Sequence, residues 1–221
     1  MGQRPISFAI GEFYHLYNRG NSRQTIFKDS ADYQRLLTLL YVANSAEVVR
    51  LDNLRQQKID PFSVEIVNPL VAIGAYCLMP NHYHLLITPL IEDGISLFMK
   101  KLGTGYSMYF NKRHERAGSL FEGTFKSQWA DTDEYLRYLF SYIYLNPMKL
   151  HDAEWNHRPM NSSDQAFLEQ YRYSSYYDFA ITENRPESAI LNTAEFPEYF
   201  NEHTDPRLLS DWSKQGSTLL G

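Results

Sequence analysis

The chain has 221 residues, of which 43% are hydrophobic and 21% are charged, a composition typical of a globular protein rather than a disordered or fibrous one. Its longest apolar stretch, residues 71–80, is far shorter than the roughly 20 residues that span a bilayer, and the apolar stretch before Glu12 is too short for a secretory signal. We therefore expect a cytoplasmic protein with no membrane partner, and its single cysteine, Cys77, excludes an intrachain disulfide.

Charge is unevenly distributed along the chain. Residues 151–221 hold 5 Lys and Arg against 12 Asp and Glu, whereas residues 1–150 hold 16 against 14. We predict one domain over 1–150 and an acidic C-terminal extension over 151–221. The cations of the basic stretch 94–126 are Lys100, Lys101, Lys112, Arg113, Arg116 and Lys126. They are candidate contacts to nucleic-acid phosphates, although charge alone fits a solvated helix face equally well.

The first part of the chain predicts one strand, one helix and a hairpin. Aromatic and branched residues at strand spacing indicate a strand that ends at a turn signal, and apolar residues at helical spacing follow a capping Asp29 or Ser30. A polar, proline-bounded segment at 46–69 indicates a connection or insertion. The predicted strands are 13–18, 71–78 and 82–88, and the predicted helix ends near residue 44.

The second part of the chain predicts two helices and a fourth strand. Residues 95–116 have helical spacing and form a predicted helix, interrupted or softened at Gly103 and Gly105. Apolar residues over 119–129 indicate a strand, and a helix over 133–146 ends at a proline. A further helix is predicted in the extension, around 171–179.

This order, βαββαβα, favours an α+β fold of the ferredoxin-like type. Such a fold has a four-stranded antiparallel sheet, and we expect its helices on one face, followed by the C-terminal extension.

Two histidines separated by one residue form the sharpest local pattern. His82 and His84 lie two apart on a predicted strand, so their imidazoles share a face and can hold one metal ion, while Tyr83 faces the core. By itself, the His-Tyr-His triplet is equally consistent with a chance pattern in which the histidines only form hydrogen bonds near a turn. A metal also needs a third donor, for which His15, His114 and the amide oxygen of Asn146 are candidates.

The predicted helix 133–146 carries four tyrosines, a pattern that usually reflects packing. Tyr142 differs from Tyr144 because it lies four residues before Asn146, on the same helical face. A phenol and an amide one turn apart can address the same ion or phosphate. Taken alone, Asn146 followed by proline does no more than end a helix.

Several separated motifs together resemble one protein family. They are YHLYNRGN at 14–21, MPNHYHLL at 79–86, GSLFEGTFK at 118–126, YIYLNP at 142–147 and YSSY at 173–176. In this order they resemble the single-tyrosine HUH transposases, the IS200-like family, and more narrowly the branch associated with repetitive extragenic palindromes. The resemblance covers most of residues 13–179. The stretch 46–69 and the acidic end after Ala180 match no segment of that family.

The resemblance implies a transposase that cuts and rejoins single-stranded, hairpin-bearing DNA. It implies His82 and His84 as metal ligands, Tyr142 as the nucleophile that forms a 5′-phosphotyrosine, and residues 1–150 as the catalytic domain. Asn146 stands where relatives place an amide-bearing third ligand, which in some of them is glutamine. The expected cofactor is Mg²⁺ or Mn²⁺, and the expected assembly is a monomer or a homodimer.

Three other functions share parts of this pattern. A replication or mobilisation nickase of the HUH type would use the same metal and tyrosine at an origin. A non-catalytic, ferredoxin-like nucleic-acid-binding module would not need the tyrosine. A small metal-dependent hydrolase would use water instead and would form no covalent protein–DNA adduct.

Overall fold

The computed structural model describes residues 8–181, 184–200 and 209–211. Its four-stranded antiparallel sheet consists of β1 (Phe13–Arg19), β2 (Val71–Met79), β3 (His82–Pro89) and β4 (Lys126–Ala130). The strand order is β2-β3-β1-β4. The two central strands, β1 and β3, therefore have hydrogen-bonded neighbours on both sides, and side chains alternate between the two faces. This sheet confirms the predicted α+β class.

Two helices cover one face of the sheet. They are α1 (Ser30–Val42), capped by the Asp29 carboxylate, and α3 (Gly94–Arg113). The predicted interruption at Gly103 and Gly105 is wrong, since α3 runs unbroken through both. A glycine costs a helix roughly 1 kcal/mol relative to alanine, and the burial of six apolar α3 side chains outweighs that cost. These side chains are Ile95, Phe98, Met99, Leu102, Tyr106 and Phe110.

The helix α4 (Asp133–Leu145) lies on the other face. Its side chains Leu139 and Ile143 belong to the same core cluster as Cys77 and Leu86, which point away from α1 and α3. The prediction that all helices share one face is therefore wrong. Successive side chains along the strands point to opposite faces, and both faces carry apolar residues. Each face is therefore buried under helices.

The fourth strand is shorter than predicted. It begins at Lys126, and the preceding residues 119–125 form turns and one isolated bridge, Gly20 to Phe121. Gly118 and Gly123 both have positive φ, which directs this segment away from a regular strand. The segment consequently wraps around the end of β1.

Short elements surround this core, most of them in the segment 46–69 and in the extension. The helices are α2 (Leu51–Gln57), α5 (Met148–His151), α6 (Ser162–Gln170) and α7 (Tyr176–Ala180). Single 3₁₀ turns occur at Asn21–Arg23, Pro61–Ser63, Trp155–His157, Pro186–Ile190, Thr193–Glu195 and Glu198–Phe200. Among the described residues, no helix combines the length and apolar character needed to cross a membrane.

The extension pairs with the outer edge of β2. Leu78 N–H donates to the carbonyl of Tyr173 at 2.9 Å, and Ser175 N–H donates to the carbonyl of Tyr76 at 2.9 Å. The prediction of a helix over 171–179 is therefore wrong in its first half, because residues 173–175 form hydrogen bonds with the open edge of the sheet instead.

The helix α6 is not predicted from the sequence, although Asn161 and Asp164 form a capping box at its start.

Candidate active site

The strand register places three histidines on the face that α4 covers. Tyr17 lies opposite His84, Arg19 lies opposite His82, and His15 lies opposite Leu86. Directly opposed residues of antiparallel strands share a face, so β1 and β3 present His15, His82 and His84 together. As predicted, Tyr83 points the other way and is fully buried in the core beneath α1 and α3.

Each of the paired histidines uses one ring nitrogen within the protein. His82 Nδ1 lies 2.6 Å from Asn81 Oδ1, and His84 Nδ1 lies 2.9 Å from His15 Nε2. His84 Nε2 is buried and has no hydrogen-bond partner. If Nε2 of His84 holds a metal, Nδ1 carries the proton and donates it to His15, an outer contact that orients metal-binding imidazoles.

All three imidazoles are held in the neutral form. Burial lowers the pKa of His15 to about 4. Burial, together with the positive charges of Lys149 and Arg19, lowers the pKa of His82 to about 4. Burial also holds the pKa of His84 well below its usual value, and the neighbouring His15 and His82 contribute. Neutral imidazoles are the form that binds metals.

The helix α4 brings Tyr142 against the histidines. The Tyr142 ring centroid lies 5.4 Å from that of His84 and 6.0 Å from that of His15, both edge-to-face. Asn146 and the following proline keep helical backbone angles, so the chain continues into α5. Lys149 on α5 consequently reaches back, and its Nζ donates to Tyr142 Oη at 3.3 Å and lies 4.5 Å from the ring centroid.

Asn146 is 1% exposed, and neither of its amide atoms has a hydrogen-bond partner. An unpartnered buried amide costs roughly 1–3 kcal/mol, so it requires an explanation such as an ion. Among the described residues, no three His, Cys, Asp or Glu side chains are grouped as metal ligands. A divalent ion at this site would therefore need a ligand of another type, and the orphaned Asn146 amide and His84 Nε2 fit that requirement.

The other candidate ligands have different roles. His114 lies at the end of α3, on the opposite side of the sheet, where its Nε2 is 3.0 Å from Asp32 Oδ2. His114 therefore cannot join His82 and His84 at one ion. His15 is close to the pair but directs Nε2 at His84. The signal for this contact was the position of His15 on a predicted strand, but its partner depended on the register.

Comparison with known proteins identifies the family. The model of the family described as "Transposase IS200 like" matches residues 12–146. The chain belongs to the IS200-like transposase family. The match covers His82, His84, Tyr142 and Asn146, and it ends before Lys149.

One solved structure shares the fold of this transposase. It is described as the "REP associates tyrosine transposase bound to a REP hairpin", and it matches with a TM-score of 0.51 over 93% of each chain. The sequence identity is 14%, so the likeness concerns the fold. A comparison with curated proteins finds no match.

The six basic residues predicted to contact DNA are not brought together in this transposase. Arg113 is paired with Asp29 at 2.7 Å and Asp32 at 2.5 Å, and Lys101 Nζ donates to the carbonyl of Glu47 at 3.0 Å. Lys101 also donates to the carbonyl of Ser45. These two cations thus hold α3 to α1 and to the segment 46–69.

The remaining four cations lie in different places. Arg116 donates to Asn111 at 2.9 Å, Lys112 is exposed, and Lys100 lines a cavity of about 520 Å³ between α3 and the loop 118–125. Only Lys126 of the six lies on the histidine face of the sheet, where its strand position is opposite Tyr17. Lys126 is therefore the member of the set that the fold places beside the candidate metal ligands.

A basic cavity next to His82 was not anticipated. It has a volume of about 340 Å³, and its lining includes Arg19, Arg23, Glu122 and Lys126 as well as His82. The sequence signal was the NRGN turn after β1, interpreted only as a turn. The relation of this turn to His82 depends on the pairing of β1 with β3.

Proposed function

We propose that this transposase cleaves and rejoins single-stranded DNA that carries a hairpin, through a 5′-phosphotyrosine at Tyr142. The observation that carries the proposal is the contact of the Tyr142 ring with His84, beside two orphaned metal-ligand groups. A nucleophile next to a site for a phosphate-polarising ion is the arrangement that such chemistry requires.

His82, His84 and Asn146 are the residues proposed to hold the ion. A Mg²⁺ or Mn²⁺ ion there would polarise the scissile phosphate and offset charge on its oxygens. Two neutral imidazoles and one amide oxygen add no negative charge, so they leave the full charge of the ion available to the phosphate. Burial of His84 and Asn146 limits competition from solvent.

Tyr142 is proposed to attack the phosphorus, forming the Oη–P bond while the bond from phosphorus to the 3′-oxygen breaks. The phenol loses its proton and the departing 3′-oxygen gains one, so the charge balances. Attack by a second 3′-hydroxyl reverses the step, and the aryl phosphate ester conserves the energy needed for joining. Lys149 lies 3.3 Å from Tyr142 Oη, where its charge would stabilise the phenolate both as nucleophile and as leaving group.

The proposed substrate class is supported by the family and by the neighbouring structure. The chain belongs to the IS200-like transposases, and the protein of similar fold is described as bound to a REP hairpin. Metal-dependent cleavage of a single strand also suits a partly exposed tyrosine on a helix beside the histidines of the sheet. Which hairpin sequences the protein cleaves is a question for the cleavage assay.

A covalent-trapping assay tests the proposal. Labelled single-stranded hairpin DNAs are incubated with Mn²⁺ or with EDTA, and protein–DNA adducts are separated on a denaturing gel. The variants are Tyr142→Phe and, as a matched control, Tyr138→Phe. Tyr138 lies one turn earlier on α4, with its ring centroid 5.8 Å from that of Tyr142.

We expect an adduct with the wild type and with Tyr138→Phe, dependent on Mn²⁺, and none with Tyr142→Phe. DNA binding without any adduct would instead support a non-catalytic binding module. Metal-dependent cleavage that persists in Tyr142→Phe would support a hydrolase that uses water. An adduct formed only with origin-type sequences lacking a hairpin would support a nickase.

A further inference from the structure

The cavity beside His82 concentrates positive charge. Its lining holds three cations, Arg19, Arg23 and Lys126, against one carboxylate, Glu122. Counting these side chains gives two uncompensated positive charges at a cavity that also exposes a candidate metal ligand. A concave basic surface attracts an anion, and the anion of the proposed reaction is a DNA phosphate.

Among the described residues, Glu122 is the one carboxylate that lines this cavity, and it pairs with Arg19. Arg19 Nε lies 2.5 Å from Glu122 Oε2, and the pair is held by a backbone bond from Glu122 N–H to the Arg19 carbonyl at 2.9 Å. The pKa of Glu122 is lowered first by its hydrogen bond to Arg19 and also by the charges of Lys126 and Arg23. The carboxylate therefore occupies the position where an external anion would be attracted.

This ion pair is easy to replace. The side chains of Arg19 and Glu122 are 40% and 46% exposed, and an exposed pair of this kind contributes little to stability. A phosphodiester offers the Arg19 guanidinium a planar, charge-assisted contact of similar strength. Exchange of Glu122 for a phosphate would therefore cost the fold almost nothing.

The cavity is rigidly connected to the candidate metal site. Asn81 Nδ2 donates to the carbonyl of Arg23 at 3.3 Å, while Asn81 Oδ1 lies 2.6 Å from His82 Nδ1. Gly20 N–H donates to the Asn81 carbonyl at 2.8 Å, which fixes the turn after β1 to the turn before β3. Ser22 and Arg23 both have positive φ, a costly conformation for residues with side chains, and it turns the chain sharply here.

We infer that this cavity is a subsite for the substrate phosphate that neighbours the scissile one. Arg19, Arg23 and Lys126 contact that phosphate, and Glu122 pairs with Arg19 until the DNA displaces it. The inference rests on the proposed function for its substrate. It adds a phosphate position that sets the strand relative to His82, which lines the same cavity.

The experiment measures DNA binding without chemistry. Tyr142→Phe protein in EDTA binds a fluorescent single-stranded hairpin, and anisotropy gives the Kd at several salt concentrations. In this background we compare Arg19→Gln, Lys126→Gln and Glu122→Gln. The control is Lys58→Gln, which removes an exposed cation at the end of α2.

Removal of a phosphate contact has a defined salt signature. Arg19→Gln and Lys126→Gln should each weaken binding about three- to tenfold and reduce the slope of log K against log salt by roughly 0.7. Glu122→Gln should tighten binding by about threefold, because it releases Arg19 without adding a contact. Lys58→Gln should leave both the Kd and the slope unchanged.

Two results would overturn the subsite. One is equal effects of Arg19→Gln, Lys126→Gln and Lys58→Gln, which would indicate nonspecific attraction. The other is weaker binding by Glu122→Gln, which would show that the ion pair supports the DNA surface instead of competing with DNA. Neither result depends on adduct formation. If the wild type forms an adduct but the binding data contradict the subsite, only this inference fails. If the binding data support the subsite but no adduct forms, only the proposed function fails.

Discussion

Replacing His15 with phenylalanine removes the hydrogen bond that orients His84 while keeping a ring in the same place. His15 and His84 are each 6% exposed, and their ring centroids lie 5.0 Å apart. In His15→Phe, the Nδ1 of His84 stays buried but loses its 2.9 Å partner. The His84 ring is then free to turn Nε2 away from the proposed metal position.

The size of the effect follows from the loss of that contact. A buried polar group left without a partner costs about 1–3 kcal/mol. Loss of an outer-shell partner of a metal-binding histidine weakens metal affinity roughly 10- to 100-fold, which is consistent with that range. We therefore expect the Kd for Mn²⁺ to rise by about this factor in His15→Phe.

Titration calorimetry with Mn²⁺ measures the effect directly. His15→Gln, whose amide oxygen can accept from His84 Nδ1, should recover part of the affinity, and His82→Ala should abolish binding. Equal affinity of wild type and His15→Phe would refute the positioning role of His15. Absence of Mn²⁺ binding by the wild type would refute the metal assignment itself.

Three further predictions concern the nucleophile, the extension and pH. Lys149→Met should slow adduct formation about tenfold or more, because Tyr142 Oη loses its neighbouring charge; unchanged rates would exclude this role. Arg185→Met should lower the free energy of unfolding in urea by about 3–5 kcal/mol, because the 2.6 Å pair with Asp178 is almost fully buried. The double variant with Asp178→Asn should be more stable than Arg185→Met alone. In EDTA, the free energy of unfolding should fall from pH 7 to pH 5, and the fall should be about 2 kcal/mol smaller in His15→Phe, because the folded-state pKa of His15 is about 4 and over this range only the unfolded chain takes up that proton.

The sequence alone determined the elements that local chemistry specifies. Helical spacing and the Asp29 cap predict α1, and an apolar run before Met79 predicts β2. The histidine pair was found because a strand places alternate residues on one face, a rule that needs no partner. The spacing of Tyr142 to Asn146 distinguishes it from the other three tyrosines of the helix, and the family motifs indicate the same residue. The family match now covers these residues, while their individual roles remain predictions.

The structure departs from the predicted elements where contacts with distant residues outweigh local preference. The two glycines of α3 do not interrupt it because the helix buries its apolar stripe, and Gly105 approaches Leu39 of α1 closely enough that an added Cβ would lie 3.3 Å away. Residues 173–175 leave the predicted helix because the edge of β2 offers hydrogen-bond partners about a hundred residues earlier in the chain. Backbone groups are satisfied by whichever partner the fold supplies.

Only the tertiary structure decided which groups meet at the site. His15 and His84 are 69 residues apart, and Arg19 and Glu122 are 103 apart. Their contacts depend on the register of β1 against β3 and on the wrapping of the loop before β4 around the end of β1. A shift by one residue would turn every side chain of a strand to the other face. The sequence therefore identifies the reactive groups, but strand pairing determines which neighbours orient those groups and which charged side chains surround them.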